Sequence, residues 1–249
     1  GPSGVSVLPG AAGAVRFLDF GAQPSDAPVV FVDDDAVLQA VIDDGIGIAH
    51  DLFRESATAT RIHHARIFEA EPLADGQTSV GRDLDRSAIT GLLRDCTFDH
   101  MLDEDLFYIL SGQVDWGAHV FSTVAMRRSH GSHVMALAAG EPIGAHAQNQ
   151  PIICAALPSR IVTDTTGLEM VPLLYLAFHI LMRQARRFRT RNGAPVPVVF
   201  NFSYGNTGGP HDGTGIFARL FDHYVGDAAT RRAEPPQTAW LTLPAGNAN

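Results

Sequence analysis

Three short segments carry residues that could do chemistry together: Val41-Ile42-Asp43-Asp44-Gly45-Ile46-Gly47, Ser129-His130-Gly131-Ser132-His133-Val134 and Pro244-Ala245-Gly246-Asn247. Asp43 closes the apolar run Val37 to Ile42, which reads as strand or short helix. An Asp at the end of a buried strand is kept dry and hydrogen-bonded, the state suited to orienting an imidazole and stabilising its charged form. Gly45 lets the chain turn away. Downstream of His130, Val134, Leu137 and Ala138 fall at helical spacing and Gly140 supplies a stop, so His130 belongs to the first turn of a helix. An imidazole so placed is rigid, Gly131 leaves room beside it, and it can serve as a general base. Taken singly each signal is weak. An Asp-x-Gly is commonly a turn, and His130 with His133 at i, i+3 would also suit a metal, although no third ligand stands nearby in the sequence. His63-His64 and His211-Asp212 read as exposed or capping residues.

The elements that must hold these residues alternate. Pro28 to Val32 is a further apolar run before the Asp43 segment, Pro151 to Leu157 and Val196 to Phe202 have the continuous apolar character of buried strands, and Val171 to Arg187 is a long amphipathic helix between them. A helix from about Gly213 to Val225, with Asp212 as its N-cap, and a strand from Thr238 to Leu243 complete the series. This order predicts an α/β fold with a doubly wound, mostly parallel sheet and helices on both faces. Residues 1–28 are rich in Gly, Ala and Pro and read as an N-terminal extension to a domain over 29–249. The stretch 51–125 differs in texture, with a short strand at Ile62 to Ile67 and acidic helical segments at Ser87–Arg94 and Asp103–Leu110, and is expected to be an insertion.

In order and local wording the segments resemble the subtilisin-like serine proteases, whose pattern is a strand ending in Asp-x-Gly, a His-Gly-Thr-His-Val helix start, an Asn-x-Ser-x-Gly strand and an Ala-Gly-Asn. The resemblance covers most of 29–249 in outline. It implies an endopeptidase that cleaves peptide bonds by acyl transfer, with Asp43 as orienting acid, His130 as base and Asn247 as donor to the oxyanion. It also implies that Ser203-Tyr204-Gly205, within Asn201-Phe202-Ser203-Tyr204-Gly205, pairs with an extended peptide substrate as an added strand. Ser132 stands where Thr is commoner in the family, and the 87 residues from Asp43 to His130 exceed the family's compact spacing. The family's nucleophile follows its Asn in a Gly-Thr-Ser-x-Ala segment, whereas only Ala248 and Asn249 follow Asn247. The fold is therefore expected to be incomplete at its C-terminus, with a companion segment or chain supplying the Ser and these residues inactive alone. The alternative is a catalytically inactive, protease-like module that binds peptides. Many family members hold structural calcium, but no ligand set is assignable here, and neither a catalytic metal nor another cofactor is expected.

Composition narrows the partners. The 249 residues are 45% hydrophobic, enough for one sizeable core, and carry 18 basic against 27 acidic side chains for a formal charge of −9. With every basic residue an Arg and no long basic run, nucleic acid is not an expected partner. No stretch of 18 apolar residues is present, which gives no expectation of a membrane partner. The compartment is left open, with the cytoplasm favoured because no signal peptide is visible. Cys96 and Cys154 are the only cysteines, Cys154 in a core-type run, and a disulfide between them is left open.

Overall fold

A computed structural model describes residues 28–70, 80–117, 122–145, 150–162, 169–205, 210, 212–225 and 236–244. The fold is organised around β2 (Leu38–Asp44), a strand buried on both sides. Leu38, Ala40 and Ile42 face one hydrophobic cluster and Val41 the other, all without solvent contact. A strand covered on two faces loses the polar–apolar alternation of a half-exposed one and reads as a continuous apolar run. Around it lie β5 (Ile62–Ile67), β6 (Arg82–Asp85), β9 (Ile152–Leu157), β11 (Val198–Phe202) and β12 (Ala239–Thr242). They form a six-stranded sheet in the order β12-β11-β2-β9-β5-β6, parallel except for the β5–β6 pair. Outside it, β1 (Val30–Val32) pairs with β10 (Phe188–Thr190), β3 (Arg54–Ser56) with β4 (Ala59–Thr60) and β7 (Thr97–Phe98) with β8 (Met101–Leu102), and the short α4 (Ser159–Val162) follows β9.

Helices cover both faces. On one, α1 (Arg86–Asp95) and α3 (His130–Ala139) pack through Ile89, Leu93 and Met135 against Val41, Ala65, Cys154 and Ala156. On the other, α5 (Met170–Ala185) presents Leu174, Ala177, Phe178, Leu181 and Ala185 at helical spacing to Ile42, Ile153 and Phe200, and α6 (Ile216–Val225) adds Leu220 and Tyr224. Pro172 is tolerated because it lies in the first turn of α5, where no intrahelical partner for an N–H exists. Burying a side chain such as Ile42 or Leu174 contributes about 1.5–3 kcal/mol. The fold is thus α/β with a mostly parallel central sheet, and the expected strands and helices differ from the observed ones mainly at their ends.

The 51–125 stretch contributes β5 and β6 to the sheet. Two local expectations need correcting. His64 is not exposed. It is buried in β5 with its Nε2 3.3 Å from Asp83 on β6, and the neighbouring Arg66 binds the same carboxylate at 2.9 Å. Burial alone would raise the Asp83 pKa, but the contacts from His64 and Arg66 outweigh it and hold the carboxyl below its ordinary range. Asp212 caps a turn through Thr214 rather than the helix, which begins at Ile216. Cys96 and Cys154 are both buried as free thiols. Residues 1–27, most of the expected N-terminal extension, lie outside the described residues, as do His211 and Asn247.

Candidate active site

Asp43 and His130 meet at the carboxyl ends of the central strands. Along β2 the side chain of Asp43 falls on the same face as Val41, the face that α3 covers, and Asp43 pairs in register with Ala156 of β9. Ser129 is the N-cap of α3, its side chain accepting from Ser132 N at 3.0 Å, so His130 is the first helical residue. Its Nδ1 lies 2.7 Å from Asp43 Oδ1, an atom that also accepts Asp44 N–H at 2.8 Å. The Asp43 side chain is 4% exposed and that of His130 58%, so a dry carboxylate backs an imidazole open to solvent.

Electrostatics follow from this geometry. Burial pushes the Asp43 carboxyl up to about 6, against the lowering pull of His130 and the Asp44 N–H, and Oδ2 has no hydrogen-bond partner among the described residues. The bond from Asp43 raises the His130 pKa above its ordinary value, outweighing partial burial. Asp44 binds at the start of α3 differently, its Oδ1 accepting Gly131 N–H at 3.1 Å, where an anion meets an otherwise unbonded N–H and the positive end of the helix. Close approach is what Gly131 allows. A Cβ there would lie 2.0 Å from Asp44 O and 3.0 Å from Asp43 Cβ.

The turn after β2 is equally tight. Gly45 has φ +36°, and a Cβ on it would meet Thr123 Oγ1. Ser129 Oγ donates to Gly45 O, Gln113 Nε2 donates to Ile46 O, and Gly47 N donates to Ser132 Oγ at 2.7 Å. Sequence reasoning missed Gln113, Ser129 and Ser132 in this role, since nothing in their local wording signals a bond to a distant main chain.

A shallow open cleft, with room for about one water molecule, lies beside the pair, lined by Ile42, Asp43, Asp44, Leu157, Met170, Phe202, Ser203 and Tyr204. It sits where ligands settle in open parallel sheets, outside the carboxyl ends of the strands. Ser203 and Tyr204 thus face the cleft, while Gly205 is exposed and not part of its lining. The β11 ladder with β2 ends at Phe202, so Ser203–Gly205 run on past it. The Ser203 hydroxyl donates to Asn201 Oδ1 at 2.8 Å. Asn247 is outside the described residues.

Asp43, Asp44 and His130 bring three potential metal-ligand atoms within 4.8 Å of one another. Asp43 Oδ1 is engaged with His130 and Asp44 Oδ1 with Gly131 N–H, an arrangement suited to moving a proton at Nε2 of the ring. His133, the residue paired with His130 in the metal reading of the sequence, is exposed and belongs to no three-residue ligand group among the described residues.

No family model matches the chain, and no curated protein matches it by sequence. Among solved structures, the CspB protease of Clostridium perfringens is similar in fold, with a TM-score of 0.52 and 18% sequence identity over 85% of this chain. The match takes in 35% of that protease's own chain, and at this identity what the two share is a fold.

Proposed function

We propose that this chain supplies the acid–base half of a subtilisin-like serine endopeptidase. The observation that carries the proposal is the 2.7 Å bond between Asp43 Oδ1 and His130 Nδ1 at the carboxyl ends of the sheet, with the ring open to solvent. In this reading Nε2 of His130 takes the proton of a serine hydroxyl as its oxygen attacks a peptide carbonyl, and later returns a proton to the leaving amine. Asp43 fixes the tautomer with the proton on Nδ1 and stabilises the imidazolium that forms. Asn247 donates to the oxyanion, and the peptide lies extended along Ser203–Gly205 beside the cleft. The similarity of fold to a protease supports the reading without specifying the chemistry.

The nucleophile in this proposal comes from a companion segment or chain. The serines next to the pair are committed elsewhere: Ser129 and Ser132 to the Gly45–Gly47 backbone, and Ser203 to Asn201. The same commitments favour the second reading, an inactive module that binds peptides. A fluorophosphonate probe separates the cases. The purified chain should remain unlabelled, and a labelled serine mapped within its 249 residues would overturn the proposal of an external nucleophile. Peptide binding with no labelling under any reconstitution would favour the module.

A further inference from the structure

We propose that Gln113 and Ser129 are positioning residues for the Asp43–His130 pair, gripping the turn after β2 so that Asp43 stays against the start of α3. This rests on the acid–base reading of the pair. The turn joins Asp43 to the rest of the chain through two glycines, Gly45 and Gly47, and would be a loose joint if left to itself. Instead three consecutive residues are each held by a side chain from far along the sequence: Gly45 O by Ser129, Ile46 O by Gln113, and Gly47 N by Ser132.

The serine bonds have a single consistent direction. Gly45 O can only accept, so the Ser129 proton is committed to it. The 2.7 Å contact between the two hydroxyls must then carry the Ser132 proton toward Ser129 Oγ, leaving Ser132 Oγ to accept Gly47 N–H. The chain Gly47 N–H, Ser132 O–H, Ser129 O–H, Gly45 O therefore closes a loop between the turn and the first turn of α3, one residue from His130. It leaves no donor in that chain unused.

Gln113 grips the same turn from a third segment of the chain. It follows α2 (Glu104–Leu110), is 4% exposed, and its own N–H is bonded to Tyr108 O at 2.9 Å, so its side chain reaches the turn from a fixed base. Tyr108 packs beside it, its Oη 3.0 Å from where a Cβ on Gly47 would lie. Gln113 Oε1 is buried with no partner among the described residues. A methionine would fill the same space without an unmet polar atom, so what the amide adds is the bond to Ile46 O.

The test is an imidazole NMR titration of His130 in this chain, which needs no nucleophile. His130 titrates beside Asp43 and Asp44, the two carboxylates that act on it. In Gln113→Met and in Ser129→Ala its pKa should fall from its raised value toward that of an ordinary imidazole, while Ser129→Thr, which keeps the hydroxyl, should restore the parent curve. Folded Gln113→Met and Ser129→Ala variants whose His130 titrates as in the parent would overturn the proposal. Should either variant fail to fold, the parent gives a second reading. The Gly47 backbone amide and the Gln113 side-chain amide should shift with the same midpoint as His130, and amides that stay still through its titration would equally overturn it. A failed protease reading would appear as absent turnover in a reconstituted enzyme and would leave these titrations unchanged.

Discussion

Gly131→Ala puts a methyl group where the helix meets the strand end. A carbon held against a carbonyl oxygen settles no closer than about 3.3 Å, whereas this one would start 2.0 Å from Asp44 O, so α3 and β2 must part by about 1.3 Å. Taken along the Asp43–His130 bond, that carries 2.7 Å to about 4 Å, beyond hydrogen bonding. In an unobstructed helix the same change is favourable by about 0.8–1.0 kcal/mol, because alanine loses less backbone entropy than glycine. Overpacking costs about 1–3 kcal/mol, so the net expectation is a loss of about 1 kcal/mol. Gly91 in α1 is the control, since a Cβ there meets nothing within 4 Å, and Gly91→Ala should gain stability. Urea unfolding of both variants, with His130 followed by NMR, reads the two effects separately. In a reconstituted enzyme a misplacement of this size should lower turnover about 10²-fold. The reasoning is refuted if Gly131→Ala gains stability as Gly91→Ala does and leaves the His130 titration where it was.

Three other outcomes are expected. The folded-state pKa of Asp43, raised from 3.8 to about 6, means that ionising it costs the folded state, so stability should fall as pH climbs through that window. Asp43→Asn should flatten that fall and lower the His130 pKa, and parallel unfolding curves for parent and variant between pH 4 and 6 would contradict the cause assigned. Arg61 is 1% exposed and its guanidinium donates to the carbonyls of Ala139 at 2.8 Å, Leu52 at 3.1 Å and Gln150 at 2.8 Å. Arg61→Met removes the donor to the Ala139 and Gln150 carbonyls, whereas Leu52 O keeps the Glu141 N–H at 3.0 Å, so at about 1 kcal/mol for each of the two the loss in chemical unfolding should be about 2 kcal/mol. If Asn247 donates to the oxyanion as proposed, a bond made mainly in the transition state, Asn247→Ala in a reconstituted enzyme should reduce kcat with little change in KM, and an unchanged kcat would remove it from the mechanism.

Legibility in the sequence tracked how local each signal was. The runs that became β9, β11 and α5 were readable because burial on one stripe or both faces leaves its mark within a dozen residues. Local neighbours marked Asp43 as a strand end and His130 as a helix start, but their juxtaposition was anticipated only through the resemblance to the subtilisin-like proteases. The sheet membership of β5 and β6 was hidden. Arg66 and His64 break the apolar pattern, and their burial is supported by Asp83 on a strand whose pairing no local rule announces. Arg61 and Gln113 were hidden for a related reason: their partners are main-chain oxygens, which have no letter in the sequence.

The strand that carries Asp43 sits between β9 and β11, and its first partner begins at Ile152. During synthesis at about 5–20 residues per second, β2 would wait roughly 5–20 s between its own emergence and that of β9. Loop closure over such a separation is slow in parallel sheets generally, and here it falls on a strand whose apolar residues are buried on both faces. Until β9 arrives, Leu38 to Ile42 are an unpaired, uncharged β-forming run, the kind of segment that chaperones hold and that seeds misassembly. Asp43 is thus the first residue of the candidate site to be made, and its strand is secured only after His130 has been made as well. Folding yield should accordingly depend more on what shelters β2 during that interval than on the final stability of the sheet.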